Sequence, residues 1–152
     1  MILNEYLKEE WILLNQSLKN QEEVFYKIAE TAVTNEIATN INEVVEGLKR
    51  REEEGTTGFL EGFAIPHTQN EAILRPAIII IQNKNGIEWN SLDGIPSQFF
   101  ISLLIPKKEA GTTHLTLLSS LSRMLMHEDI REKLKNAGRS KEIINVLQHL
   151  NH

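Results

Sequence analysis

The sequence predicts an α/β fold in which helices cover a sheet, and three features point that way. Two segments, the apolar 77–81 and the largely apolar 99–105, have the length of buried strands. Stretches with apolar residues at helical spacing lie on both sides of them. Strand and helix patterns interleave along the chain, which is the order that layers helices on a sheet. At 152 residues the chain fits one domain spanning residues 1–152, and no repeat or Pro/Gly/Ser-rich linker divides it.

The elements follow in order. Trp11-Ile12-Leu13-Leu14-Asn15 reads as a short strand. Asn20 followed by Glu23 forms a capping box that opens a helix. Its apolar face carries Val24, Phe25, Ile28, Ala29, Ala32 and Val33. A second helix opens at Asn40 with Glu43 as box partner, carries Ile41, Val44, Val45 and Leu48, and runs into Arg50-Arg51-Glu52-Glu53-Glu54. Gly55-Thr56-Thr57-Gly58 ends it. Phe63-Ala64-Ile65-Pro66-His67 reads as a strand end or edge, since proline removes a ladder donor. Thr68-Gln69-Asn70 then reads as a polar loop. After the two buried strands, Ile87-Glu88-Trp89-Asn90 suggests a strand leading into the turn at Leu92-Asp93-Gly94. The last third is helical. Leu115, Leu117, Leu118, Leu121, Met124 and Leu125 make one apolar stripe, a short helix surrounds Ile130 and Leu134, and a final helix opens at Ser140.

Composition narrows the function. Hydrophobic residues at 41% and charged residues at 24% are ordinary for a globular chain. The net charge of −5 argues against a broad nucleic-acid surface. There is no cysteine, which excludes disulfides and thiolate chemistry and fits a cytoplasmic protein. The N-terminus lacks the basic and apolar regions of a secretory signal, and no apolar run is long enough to span a bilayer. Phosphate-binding loops, dinucleotide fingerprints, nucleophile elbows and H-E-x-x-H helices are all missing.

Five histidines remain. His127, His149 and His152 sit near helix ends, where histidine is common for its effect on the helix dipole. His67 follows a proline that fixes the backbone before it and precedes a polar loop. It is either a turn residue without a role or a nucleophile held on a rigid edge that can reach solvent. His114 follows Thr112-Thr113 at a helix start, where unpaired N–H groups favour a phosphate and disfavour imidazolium. Otherwise it is a polar helix-start residue. Arg51 is one half of surface ion pairs or a planar fork for phosphate oxygens. A metal-dependent hydrolase built on His67 and His114 lacks a carboxylate with ligand spacing.

Taken in order, Arg51-Glu52, Thr56-Thr57-Gly58, Ala64-Ile65-Pro66-His67, Leu92-Asp93-Gly94, the strand ending at Pro106, and His114-Leu115-Thr116-Leu117-Leu118 resemble one family. It is the enzyme IIA domain of the fructose–mannitol class in the bacterial sugar phosphotransferase system. The segment Ile130-Arg131-Glu132-Lys133-Leu134 extends the resemblance over nearly the whole chain. Leu60, Phe63 and Thr68 depart from it, standing where the family usually has a glycine, a branched aliphatic and a small residue.

The resemblance implies a mixed sheet flanked by helices and a phosphotransferase that works through phosphohistidine. It implies that His67 is phosphorylated by the histidine phosphocarrier protein and passes the group to a cysteine on an enzyme IIB domain. That domain feeds a permease, so the membrane is met only indirectly. Arg51 and His114 flank His67 by the same carry-over, and neither a metal nor a nucleotide cofactor is required. Thr56 and Thr57 are candidates to orient the phosphate. Phe59, Leu60 and Phe63 are candidates for an apolar docking patch, Phe63 being equally a core residue. Relatives also act as regulators whose phosphorylation state controls partner binding. The lack of an attached regulatory or DNA-binding segment favours transport.

Overall fold

A computed structural model describes residues 3–148. Two asparagines start the first two helices as their spacing predicts. Asn20 Oδ1 accepts from the Glu23 N–H at 2.9 Å ahead of α1 (Gln21–Thr34), and Asn40 Oδ1 accepts from the Glu43 N–H at 3.0 Å ahead of α2 (Ile41–Glu54). The Glu23 carboxylate returns to the Lys19 N–H at 2.9 Å. One face of α1 then buries Val24, Phe25, Ile28, Ala29 and Ala32, and α2 buries Val44, Gly47 and Leu48.

The sheet is mixed and five-stranded. β4 (Ala77–Ile87) and β5 (Ser97–Pro106) pair antiparallel at its centre. β1 (Ile12–Gln16) lies parallel on the free edge of β4. β2 (Phe63–Ala64) and β3 (His67–Asn70) lie end to end, both parallel to the other edge of β5. Ile78, Ile79, Ile80 and Ile81 are fully buried, as strands covered on both faces require. Each such side chain contributes about 1.5–3 kcal/mol of transfer free energy. After a π-helical turn at Ala110–His114 come α3 (Leu115–Met124), α4 (Glu128–Asn136) and α5 (Ser140–Gln148).

Three strand expectations change. The apolar run at 77–81 is only the first half of β4, which continues through polar residues to Ile87. There Asn83 makes two bonds to the Leu18 backbone, accepting from its N–H at 2.8 Å and donating to its carbonyl at 3.0 Å. Ile87 closes β4 and residues 88–90 are not strand; Trp89 is instead buried between Phe25 and Phe100. The largest change concerns Thr68-Gln69-Asn70, which is strand β3 rather than a loop.

Pro66 explains why the edge is split in two. It has no N–H, so β2 stops at Ala64 and pairing resumes at His67, opposite Leu103. The Pro66 carbonyl still accepts from the Leu103 N–H at 2.9 Å, which keeps the break attached to β5. Segment 57–59 covers the outer side of this edge: the Ile65 N–H donates to Thr57 O at 2.9 Å and the Phe59 N–H to Phe63 O at 2.8 Å.

Candidate functional site

α2 crosses β3 at a glycine. A Cβ on Gly47 would collide with Thr68 Oγ1 and stand 2.6 Å from Asn70 Nδ2, so only glycine permits this approach. Asn70 fastens the crossing by donating to Glu43 O at 2.8 Å and accepting from the Ala72 N–H at 2.8 Å. Arg51 lies one helical turn beyond Gly47, on the same face, and is thereby set beside His67.

His67 has two partners of opposite kind. Its Nδ1 lies 2.7 Å from Ile65 O, which can only accept. Its Nε2 lies 3.1 Å from Arg51 Nε, which can only donate. One neutral tautomer satisfies both: the proton on Nδ1 and the lone pair on Nε2. The Arg51 fork is itself steadied by a 2.8 Å bond from Nη1 to Gly55 O.

The His114 ring lies 5.2 Å from that of His67, centroid to centroid. Its Nδ1 is buried without a hydrogen-bond partner. His67 is only 6% exposed and His114 9%. Burial first, opposed by the Ile65 carbonyl, which favours the cation, and helped by Arg51 and then His114, brings the His67 pKa down to about 4. Burial first, and Arg51 second, also lower the pKa of His114. Both rings are therefore held neutral beside a permanent cation.

These side chains open on a cavity of about 320 Å³ lined by Gly47, Arg50, Arg51, Glu54, His67, Thr68, Gln69 and His114. The rigid edge expected of His67 is strand β3, and its reach to solvent is narrower than expected, since the residue is 6% exposed. His67 is the first residue of β3 and its side chain lines this cavity. A neutral imidazole with its lone pair facing an arginine can accept an electrophile carrying negative oxygens, and a phosphoryl group is the natural one.

Comparison with known proteins decides the lineage. Residues 5–150 match the family "Phosphoenolpyruvate-dependent sugar phosphotransferase system, EIIA 2". The chain belongs to this family. It is similar to the fructose-specific EIIA component of Haloferax volcanii, 38% identical over 103 residues that cover 68% of this chain and 66% of that protein. It is also similar to the fructose-specific EIIABC component of Bacillus subtilis, 35% identical over 153 residues that cover 98% of this chain but 24% of that protein. The chain thus spans only part of the length of either relative. Among solved structures, nitrogen regulatory protein IIA-Ntr from Neisseria meningitidis superposes with a TM-score of 0.89 at 26% identity, covering 97% of this chain and 99% of that one. The mixed sheet and flanking helices are those of the EIIA fold.

Within this EIIA chain, Arg51, His67 and His114 come together as the family resemblance implies. Thr56 and Thr57 do not join them. Thr56 Oγ1 donates to Trp89 O at 2.7 Å and accepts from the Gly58 N–H at 3.0 Å. Thr57 Oγ1 donates to Glu52 Oε1 at 2.6 Å and accepts from Trp89 Nε1 at 3.0 Å. Both hydroxyl protons are committed and neither residue lines the cavity, so neither hydroxyl is placed to orient a phosphate there. Phe63 is fully buried against Phe99 and belongs to the core; Phe59 and Leu60 are half-buried. His127 is an exposed residue just before α4, while His149 and His152 lie outside the described residues.

Sequence reasoning missed Gly47, Arg50, Glu54 and Gln69 as cavity residues. A glycine inside a helix pattern, four residues before a candidate arginine, was the available signal. It also counted Leu115 in an apolar stripe, whereas Leu115 is 63% exposed beside His114. Among the described residues, no three His, Asp or Glu side chains are placed to hold a metal ion, and no helix is long and apolar enough to cross a membrane.

Proposed function

We propose that this chain is a cytoplasmic phosphocarrier for sugar uptake. His67 Nε2 accepts a phosphoryl group from the histidine phosphocarrier protein and yields it to the cysteine of an enzyme IIB domain. The observation that carries this reading is the pair of opposite partners on His67, which puts the lone pair on Nε2 and turns it toward Arg51 and the cavity.

The transfer balances without a metal or nucleotide. The Nε2 lone pair forms the new N–P bond as the donor's P–N bond breaks, and that electron pair returns to the donor nitrogen. The His67 proton stays on Nδ1, where the Ile65 carbonyl stabilises the positive character the ring acquires. In the second step the thiolate attacks phosphorus and the N–P electrons return to Nε2. Arg51 moves its fork from Nε2 to the equatorial oxygens, since phosphoryl transfer needs positioning and charge stabilisation above all. His114, with a nitrogen lacking a protein partner, is the second donor. The exposed Leu115, next to His114 in sequence, offers an apolar contact for a docking protein.

The test is incubation with phosphoenolpyruvate, the general system enzyme and the histidine phosphocarrier protein, followed by intact mass. One acid-labile phosphoryl group is expected on the parent and none on His67→Ala. Equal phosphorylation of His67→Ala overturns the proposal. The likeness to nitrogen regulatory protein IIA-Ntr favours a second reading, in which phosphorylation governs partner binding instead of uptake. Discharge of the phosphorylated chain by an IIB domain supports transport. A stable phosphohistidine that no IIB domain discharges supports regulation.

A further inference from the structure

Glu52 is adjacent to Arg51 in the last turn of α2 and its carboxylate faces away from the cavity, onto Thr57. Both carboxylate oxygens are used: Oε2 accepts from the Thr57 N–H and Oε1 from the Thr57 hydroxyl, each at 2.6 Å. Bonds this short are charge-assisted and directional. The hydroxyl has no freedom to turn, because Trp89 Nε1–H can only donate and so occupies its acceptor side. Thr57 is buried and fixed on three sides.

The fixed residue then holds the edge strand. Thr57 O accepts from the Ile65 N–H at 2.9 Å, and Ile65 O accepts from His67 Nδ1 at 2.7 Å. Between them Ile65 has little conformational choice. A residue preceding proline is confined to extended backbone, and Pro66 is itself tied to the Leu103 N–H. The carbonyl that sets the His67 tautomer is therefore aimed by a chain that begins at Glu52.

We infer that Glu52 is a positioning residue for phosphoryl transfer, acting through Thr57 and Ile65 on His67 Nδ1. Two consecutive residues of α2 thereby govern the two ring nitrogens: Arg51 touches Nε2 directly, and Glu52 sets Nδ1 at three removes. The inference rests on the phosphocarrier reading for its consequence, but the tautomer it concerns exists in the unphosphorylated protein.

The test uses Glu52→Gln, which keeps the shape but leaves one Thr57 donor without an acceptor. Nitrogen NMR of histidine-labelled, unphosphorylated protein at neutral pH reads the tautomer. The parent is expected to show only Nδ1–H on His67, and Glu52→Gln to show a mixture with Nε2–H. Single-turnover transfer from the phosphorylated donor should slow by about tenfold, by analogy with the lower end of what the partners of metal-binding histidines contribute. Half-saturation by the donor should not change. Thr57→Ser, which returns the hydroxyl, should keep the parent tautomer and rate. Thr57→Val should shift both in the same direction as Glu52→Gln, and it carries the test should Glu52→Gln fail to fold. A parent-like tautomer in folded Glu52→Gln or Thr57→Val overturns the inference, even where the rate falls. Failure of the phosphocarrier reading looks different: the parent takes no phosphoryl group, while the tautomer shift in Glu52→Gln persists.

Discussion

The two sides of β5 are built on different principles. On one side it pairs with β4, where Ile78, Ile80 and Ile81 meet Leu103, Ile101 and Phe100, and Ile79 meets the buried Ser102, in a largely apolar centre. On the other it pairs with β2 and β3, where His67, Thr68 and Asn70 are just as buried but polar. The first side needs volume and water exclusion, and any apolar residue of the right shape serves it. On the second, buried polar atoms find specific partners: Ile65 O and Arg51 for His67, Glu43 O and the Ala72 N–H for Asn70. Stability is concentrated on the first side, and chemistry on the second.

The strongest way to break that contrast is to exchange the effects. Ile79→Ala in the apolar centre should cost about 2–5 kcal/mol of stability, read by denaturant unfolding, while transfer by the folded fraction stays near the parent. Arg51→Lys and His114→Ala should do the reverse. Each should cost on the order of 2–4 kcal/mol in the transition state, read by single-turnover transfer, with melting curves near the parent. Lysine fails because a point charge does not reproduce the planar fork. A collapse of stability that accounts for the lost rate would return Arg51 and His114 to structural roles.

Acid should sharpen the contrast. Folded His67 stays neutral down to about pH 4, whereas the unfolded chain takes up that proton near pH 6.5. Above 6.5 both states are neutral at this residue, and its contribution to stability is fully present. As pH falls from 6.5 to 4 the unfolded state gains the proton first, and up to about 3 kcal/mol of stability is lost. His67→Gln should remove this part of the slope, so its melting temperature should fall less than the parent's over that range. The smallest effect is expected at the crossing. Gly47→Ala should lift α2 from Thr68 and Asn70, costing about 1–3 kcal/mol of stability. It should slow transfer modestly by moving Arg51 from His67. Unchanged transfer would show that the Arg51 side chain absorbs the shift.

The contrast also explains what could be read without coordinates. The centre announces itself, because Ile78 to Ile81 are apolar at every position and the 99–105 run of β5 at every position but Ser102, and neither needs knowledge of partners. The caps at Asn20 and Asn40 are legible for a similar reason: their partners, Glu23 and Glu43, lie three residues away in sequence. Strand β3 was not legible. Thr68, Gln69 and Asn70 have loop composition, and only pairing with β5, more than thirty residues on, makes them strand. Arg51, His67 and His114 stood out one by one from their local sequence, but only the family resemblance put them together, since nothing local joins residues so far apart. Thr56 and Thr57 were misjudged because a hydroxyl in a sequence does not declare its acceptor. Here the acceptors are Trp89 O and the Glu52 carboxylate.

The central claim is that the fold, before any donor arrives, selects Nε2 of His67 as the atom that takes the phosphoryl group. Phosphorus and nitrogen NMR of the phosphorylated, histidine-labelled protein tests it most directly. The predicted spectrum has phosphorus coupled to Nε2 of His67, with the proton retained on Nδ1. Phosphorus on Nδ1 of His67, or on either nitrogen of His114, would contradict it.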